Sequence, residues 1–110
     1  MTEGGSVMKY VVSWTPRGGG SSADTEVGER RSLEVFAKWA PDPSVTFHQF
    51  VQRVDGEGGF SVVETDNPEH ILADSAKFSP WFAFEVFPVV DMTDAVAVFT
   101  DAIEFRDSIT

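Results

Sequence analysis

His48 is the side chain best suited to chemistry in this sequence, because it stands alone within an alternating apolar segment. An imidazole titrates near neutrality, so a half-buried histidine can serve as a general base or an axial metal ligand. The alternative is a hydrogen-bonded histidine with a structural role only. His70 falls in the first turn of a predicted helix and is expected at the surface. Two histidines without HExxH spacing, in a chain without cysteine, predict no metal site.

Other motifs for catalysis or phosphate binding are missing from the sequence. There is no G-x-S-x-G turn to expose a serine nucleophile. The glycine clusters at residues 18–20 and 56–59 lack the lysine and the strand-to-helix context of a phosphate loop, so they indicate turns. The sequence therefore predicts no bound cofactor.

The chain is strongly acidic, with 18 acidic and 8 basic residues among 110 and a formal net charge of −10. Such a surface repels phosphate backbones, which argues against nucleic-acid and acidic-membrane partners. No apolar run approaches the ~18–20 residues of a membrane span, and the first residues lack a basic region followed by an apolar one. We therefore expect a cytoplasmic protein.

Turn signals and apolar periodicity divide the chain into seven elements after a polar, glycine-rich start. Residues 1–7 are expected to form a flexible leader, and residues 8–110 one domain. Runs of β-branched and aromatic residues predict four strands, at residues 9–15, 45–53, 60–64 and 82–90. Helical periodicity and capping signals predict three helices, at residues 25–40, at 66–77 and from 91 onward.

This order is β-α-β-β-α-β with an added C-terminal helix, which is the ferredoxin-like α+β arrangement. Right-handed crossovers then predict a four-stranded antiparallel sheet in the order 4-1-3-2, with the first two helices on one face. Pro88 within the last strand predicts an edge position, since proline cannot donate to a central ladder.

Alternation along the strands separates two faces of the predicted sheet. The more apolar set is assigned to the helix-covered face: Tyr10, Val12, Trp14, Val45, Phe47, Val51, Phe60, Val62, Phe82, Phe84 and Val86. The opposite face is mixed: Val11, Ser13, Thr15, Thr46, His48, Phe50, Gln52, Ser61, Val63, Ala83, Glu85, Phe87 and Val89. Its apolar members would form a patch that monomers rarely leave exposed, which predicts a homodimer.

The third predicted helix has two apolar stripes. The stripe expected on the core consists of Met92, Ala95, Val96, Phe99, Ala102 and Ile103. A second stripe, formed by Val98, Ala102 and Phe105, is left for a partner. The alternative is a monomer in which this helix folds across the mixed face of its own sheet.

Two sheets that face each other in a homodimer would enclose a mostly apolar cavity, the usual form of a small-molecule site. The predicted ligand-binding residues are Ser13, His48, Phe50, Gln52, Val63, Glu85 and Phe87. The same composition fits a dimer interface without a ligand. Glu85 and His48 lie on opposite edge strands, roughly 14 Å apart at ~4.8 Å per strand spacing, so they could pair only across a dimer.

Several segments resemble a family of short bacterial proteins classed as a domain of unknown function. They are residues 8–16 (MKYVVSWTP), 46–50 (TFHQF), Asp55-Gly56 with Gly59-Phe60, 76–82 (AKFSPWF) and 103–106 (IEFR). The layout also resembles the dimeric α/β-barrel group, which includes cofactor-free monooxygenases, haem-degrading enzymes, small isomerases and regulatory ligand-binding domains. The resemblance implies a dimeric α/β barrel, and in a haem-binding member His48 would be the axial ligand.

Three functions remain open from the sequence. The preferred one is a dimeric domain that binds a small, largely apolar ligand between the sheets. The second is a cofactor-free monooxygenase- or isomerase-like enzyme in which His48 moves a proton and Ser13 or Gln52 orients the substrate. The third is a protein-interaction module whose partner docks on Val98 and Phe105 or on an edge strand.

Overall fold

The computed structural model describes residues 6–109, so most of the expected leader lies outside the described residues. The elements are β1 (Met8–Pro16), α1 (Ser22–Lys38), β2 (Thr46–Gln52), β3 (Gly59–Thr65), α2 (Glu69–Phe78), β4 (Phe82–Val89) and α3 (Met92–Asp107). The strands form one antiparallel sheet in the order β2-β3-β1-β4, with Pro88 on the edge strand β4. The predicted ferredoxin-like α+β fold, its strand order and the edge position of Pro88 are confirmed.

Helix α1 begins three residues earlier than predicted because Ser21 caps it. The Ser21 hydroxyl accepts a hydrogen bond from the Asp24 backbone N–H, and the Asp24 carboxylate accepts one from the Ser21 N–H. This reciprocal pair satisfies two backbone donors that the first turn leaves open. Gly28, which weakens helices, lies in contact range of the Trp81 ring, where a Cβ would come within 3.1 Å of Trp81 Cδ1. The glycine therefore allows α1 to approach the start of β4.

The helix-covered face differs from the prediction in β3. Val12 pairs with Ser61, and Tyr10 pairs with Val63, so these residues point to the same side of the sheet. Ser61 and Val63 are each 3% exposed, whereas Phe60 is 43% exposed on the opposite side. The assignment by apolar content is therefore wrong for β3: the central strand buries small polar side chains and turns Phe60 outward.

A bulge in β2 changes the alternation that the sequence predicts for this strand. The register with β3 shifts between Phe47 and Gln49, so one extra residue, His48, lies between two paired positions. Phe47 and Phe50 consequently both face the helices, together with Gln52. The predicted placement of Phe50 and Gln52 on the opposite face is wrong. The bulge adds one residue to β2, so every side chain after it lies on the opposite face from the one that strict alternation predicts.

The side of the sheet turned away from α1 and α2 is called the free sheet face below. Register, alternation and the contact of His48 with Glu64 assign these residues to it: Lys9, Val11, Ser13, Thr46, His48, Gln49, Phe60, Val62, Glu64, Glu85, Phe87 and Val89. The hydrophobic core lies on the other side, where Val12, Val63 and Ile71 are buried.

Helix α2 is capped differently from the prediction. It starts at Glu69, after Pro68, and the Asn67 side-chain oxygen accepts a hydrogen bond from the Glu69 N–H. Asn67 is in turn held by Thr65, which is 1% exposed and both donates to and accepts from the Asn67 backbone. Asn67 therefore provides the side-chain contact at the start of α2, three residues later than the predicted start at residue 66.

Helix α3 does not make the predicted contact with the core. None of its residues is buried, and Met92, Val96 and Phe99 are each more than half exposed. The radius of gyration is 18.7 Å and the longest dimension 66 Å, against a radius of ~13 Å for a compact domain of this length. The helix follows β4 after Val90 and Asp91 and projects from the sheet instead of crossing either of its faces. The helix does not cover the free sheet face of its own chain either, unlike in the alternative monomer considered above.

Candidate ligand-binding cleft

An open cleft of about 400 Å³ lies between the helix-covered face of the sheet and helices α1 and α2. Most of its wall is aromatic or aliphatic, with a few polar groups. Its principal lining residues are Trp14, Phe36, Trp39, Phe47, Phe50, Ser61, Asp74, Phe78 and Phe84. Volume and composition are those of a small-molecule site.

Trp39 is the centre of the aromatic wall. It follows the last residue of α1 in an extended conformation, which turns its indole toward the sheet. Its ring lies edge-to-face against Phe47, Phe50 and Phe78, with centroid separations of 5.9, 5.8 and 5.6 Å. Because edge-to-face aromatic contacts are directional, this arrangement holds the indole in one orientation.

Asp74 on α2 fixes the polar edge of the same indole. Trp39 Nε1 donates a hydrogen bond of 2.9 Å to Asp74 Oδ1. The carboxylate is only partly exposed, and its second oxygen still has acceptor capacity toward the cleft. Asp74 therefore joins α2 to the end of α1 and supplies an anionic acceptor to an otherwise apolar space.

Ser61 places a second polar group in the floor of the cleft. Ser61 is only 3% exposed, and within residues 6–109 no group forms a hydrogen bond with the Ser61 hydroxyl. The other buried polar side chains of the described region differ: Ser32 donates to the Glu29 carbonyl, and Thr65 bonds to Asn67. A buried hydroxyl without a partner is costly, and a ligand can satisfy it.

The mouth of the cleft is bordered by exposed aromatic side chains. Phe36 on α1 is 49% exposed and Phe50 on β2 is 46% exposed, and their ring centroids lie 6.0 Å apart. Large apolar side chains that remain half exposed around a concavity are typical of binding sites. The cleft is thus accessible from the side of α1 and β2.

The seven residues predicted to bind a ligand are divided between two faces. Phe50, Gln52 and Val63 line the cleft on the helix side. The remaining four lie on the free sheet face: Ser13, His48, Glu85 and Phe87. The predicted set therefore does not form one site within a single chain.

His48 pairs with a carboxylate that the sequence did not suggest. Its Nε2 lies 2.5 Å from Glu64 Oε1, and both side chains are partly exposed on the free sheet face. Glu85 lies on β4, at the opposite edge of the sheet from His48, as expected. It therefore does not pair with His48 within one chain. Neither histidine lines the cleft.

A second ion pair continues this polar end of the free sheet face. Lys9 Nζ donates a 2.6 Å hydrogen bond to Asp91 Oδ1, at the start of α3. This hydrogen bond lowers the pKa of the Asp91 carboxyl below its usual value and raises the pKa of Lys9. The pair ties β1 to the residue that precedes α3.

His70 is less exposed than predicted and belongs to a small polar group. Its Nε2 lies 3.6 Å from Asp42 Oδ2, and its Nδ1 lies 3.5 Å from Ser44 Oγ. The Ser44 hydroxyl, however, donates at 2.6 Å to Asp42, and this bond with the Ser44 N–H lowers the pKa of Asp42. The serine proton is directed to the carboxylate and not to the imidazole, so the trio is not arranged as a nucleophile with its base.

Two further features are absent from the described region. Within residues 6–109, no three histidine, aspartate or glutamate side chains converge as metal ligands. Nor does this part of the chain contain a helix with the length and hydrophobicity to cross a membrane.

No curated protein matches the sequence. A provisionally assigned chlorite dismutase, TA0507, is similar in structure with a TM-score of 0.45 and 16% identity over 83% of this chain and 46% of that chain. This chain thus spans about half the length of that protein. SnoaB, described as a cofactor-independent oxygenase from Streptomyces nogalater, gives a TM-score of 0.39 and 13% identity over 77% of this chain and 92% of that chain. The de novo designed protein Foldit4 gives a TM-score of 0.38 and 19% identity over 77% of this chain and 97% of that chain. These likenesses concern the fold alone.

The sequence also matches a family model. The model is described as a domain of unknown function, DUF3303, and it matches residues 8–103. The match extends from the first residue of β1 into α3 and so contains every element that lines the cleft. The resemblance found in the sequence is confirmed, and the chain belongs to the DUF3303 family.

Proposed function

We propose that this protein binds a small, planar, largely apolar molecule with one hydrogen-bonding group in the cleft between the sheet and helices α1 and α2. The observation that carries the proposal is the open, aromatic-lined space of about 400 Å³ around Trp39. Ligand sites commonly enclose ~300–1,000 Å³ and are lined mainly by apolar and aromatic side chains. The site thus lies on the opposite side of the sheet from the position first expected.

The shape of the ligand follows from the aromatic contacts. Trp39 presents its ring edge-to-face to Phe47, Phe50 and Phe78, so the space beside these rings suits another flat ring system. A planar ligand gains the same directional contacts and loses little conformational freedom when it binds.

The polar group of the ligand is directed by Ser61 and Asp74. The Ser61 hydroxyl can donate to or accept from a ligand hydroxyl, and Asp74 can accept from one. The net acidity of the chain and the carboxylate at the site disfavour an anionic ligand. A phenol-like or neutral hydroxylated aromatic compound therefore fits best.

The proposal is tested by titrating the ¹⁵N-labelled protein with 1-naphthol and following the indole N–H signals by NMR. Trp39 and Trp14 line the cleft and should shift with saturation, whereas Trp81 lies outside it and should not. Replacing 1-naphthol by 1-methylnaphthalene removes the hydroxyl at nearly constant shape. We expect affinity to fall about fivefold, since one neutral hydrogen bond is worth about 1 kcal/mol.

A matched pair of variants separates the cleft from the free sheet face. Ser61→Ala should weaken 1-naphthol binding by about fivefold. Ser13→Ala changes the same residue type on the free sheet face and should leave binding unchanged. Absence of saturable shifts would contradict the proposal. Loss of binding in Ser13→Ala alone would return the ligand to the face first predicted.

The proposal includes a homodimer. Phe60 and Phe87 are each more than two fifths exposed on the free sheet face, next to Val11 and Val62 in the paired strands. Together with exposed α3, this apolar surface is larger than monomeric proteins usually leave in water. Sedimentation velocity over a range of micromolar concentrations should give the mass of two chains, and a single-chain mass throughout would contradict the homodimer.

A further inference from the structure

Helix α3 has an apolar side that contacts nothing in its own chain. One stripe of this helix is formed at helical spacing by Met92, Phe99 and Ile103, which are 74%, 66% and 49% exposed. Val98 and Phe105 belong to the second stripe of the helix and are also exposed. Asp94, Asp101 and Glu104 lie away from the stripe that contains Phe99 and Ile103. This apolar stripe of α3 is not buried within its own chain.

The start of α3 lies beside the free sheet face. Lys9 belongs to this face, and its ammonium group binds the Asp91 carboxylate directly before the helix. The side chains of Glu64 and Asp94 also act electrostatically on Lys9, which places the first turn of α3 near the same end of the sheet. From this end the helix points away from the sheet, so its apolar side does not meet the free sheet face of its own chain.

One charged residue lies on each of the two apolar surfaces. Arg106 follows Ala102 by four residues and Phe99 by seven, so it lies on the apolar side of α3. Glu85 lies on the free sheet face between Phe87 and Ala83. Neither forms an ion pair or a side-chain hydrogen bond with residues 6–109. The surfaces are thus complementary in charge as well as apolar.

We infer that α3 of one copy packs across the free sheet face of a second copy, with Arg106 of one chain opposite Glu85 of the other. The inference rests on the homodimer proposed above and adds which surfaces meet. Two-fold symmetry makes the exchange reciprocal, so each chain donates one helix and receives one.

Size and shape agree with this arrangement. A helix of 16 residues is ~24 Å long, which matches strands of seven to nine residues at ~3.3 Å per residue. The large side chains on its apolar side offer on the order of 600 Å² of exposed surface. Counting both surfaces of two reciprocal contacts gives on the order of 2,000 Å², within the range of stable protein interfaces.

Cross-linking between separately prepared variants tests the inference, because the chain contains no cysteine. Glu85→Cys and Arg106→Cys proteins are mixed, allowed to exchange subunits and treated with a short bis-maleimide. We expect a covalent dimer on a denaturing gel in the mixture and none in either variant alone. Circular dichroism of each variant checks that the fold is intact.

Charge reversal supplies a second readout. Glu85→Arg and Arg106→Glu should each raise the dissociation constant of the dimer about tenfold or more, and the double variant should recover most of the loss. Glu57→Arg, a reversal in the turn between β2 and β3, is the matched control and should have no effect.

Several outcomes would overturn the inference. A dimer without cross-linking in the mixture, or without rescue in the double variant, would show that α3 docks elsewhere. Cross-linking of Arg106→Cys alone would place two α3 helices against each other. A monomer would refute the homodimer and this inference together, whereas 1-naphthol binding on the other side of the sheet is measured independently of both.

Discussion

Trp39 Nε1 donates a hydrogen bond of 2.9 Å to Asp74 Oδ1, which links the end of α1 to the middle of α2. The two residues are 35 positions apart in the chain and meet above the sheet. The bond holds the indole against Phe47, Phe50 and Phe78, so one contact fixes both the helix pair and the aromatic wall of the cleft.

Trp39→Phe should lower the free energy of unfolding by about 1–2 kcal/mol, because it removes the hydrogen bond and part of the aromatic contact. Urea unfolding followed by far-ultraviolet circular dichroism measures the change. Asp74→Asn is the control, since an amide oxygen can still accept from Trp39, and it should cost less than half as much. Equal losses in the two variants would show that the carboxylate charge, not the hydrogen bond, stabilises the fold.

Ser61→Ala should leave the free energy of unfolding unchanged within about 0.5 kcal/mol or raise it slightly. The reason is that the Ser61 hydroxyl is buried but has no hydrogen-bond partner within residues 6–109. Thr65→Val is nearly isosteric and removes two hydrogen bonds to Asn67, so it should cost about 1–3 kcal/mol. Both are measured by urea unfolding without added ligand. A large loss in Ser61→Ala would mean that its hydroxyl is satisfied in solution.

Gly58→Ala should destabilise the protein by about 2–3 kcal/mol. Gly58 has φ +99°, and a Cβ at this position would lie 1.9 Å from the Trp14 carbonyl oxygen, so the backbone must move. Gly18→Ala is the matched control, because no heavy atom lies within 4 Å of its Cβ position. Thermal unfolding should show a clear decrease in Tm for Gly58→Ala only. Equal Tm values would show that the hairpin turn adapts without cost.

The Lys9–Asp91 pair should make a small pH-dependent contribution to stability. Asp91 has a lowered pKa in the folded state, so its contribution is present above the usual value of 3.8 and is lost as the pH falls through the folded value. Lys9 has a raised pKa, so its contribution is present below 10.5 and is lost as the pH rises through the folded value. Between these limits the stabilisation is constant.

Comparison of the wild type with Asp91→Asn measures this dependence. The difference in Tm should be steady near neutral pH, shrink below pH 3.8 and decrease in high salt, because both side chains are accessible to solvent. Asp107→Asn, at the other end of α3, should not show this acid dependence. A difference that persists well below pH 3.8 would assign the effect to something other than the charge pair.

The predicted ligand-site residues show that sequence alternation assigns side chains to a sheet face correctly in some strands and wrongly in others. Alternation correctly located Ser13, Glu85 and Phe87 on one face, because β1 and β4 are regular strands. It failed for Phe50 and Gln52, since the bulge at His48 leaves no mark in the pattern of apolar residues. In β3, both sets of alternating side chains are partly apolar, and only the pairing with β1 decides which set is buried.

Trp39, Asp74 and Ser61 were not among the predicted site residues. Trp39 follows α1, Asp74 lies on α2 and Ser61 on β3, and the two helices that cross the sheet bring them together. A tryptophan close to a proline at the end of a helix is equally typical of a core contact, so sequence alone could not distinguish the two roles.

The sequence by itself determined the order of the elements, the ferredoxin-like fold and the edge strand, because apolar periodicity, turn residues and capping signals are local properties of the chain. It also indicated the family, through the resemblance of particular segments such as residues 8–16 and 76–82. Only the tertiary structure decided which side of β3 is buried, that α1 leaves an aromatic cleft and that α3 projects from the sheet. These features depend on register, on a bulge and on contacts between distant segments, which local patterns do not encode.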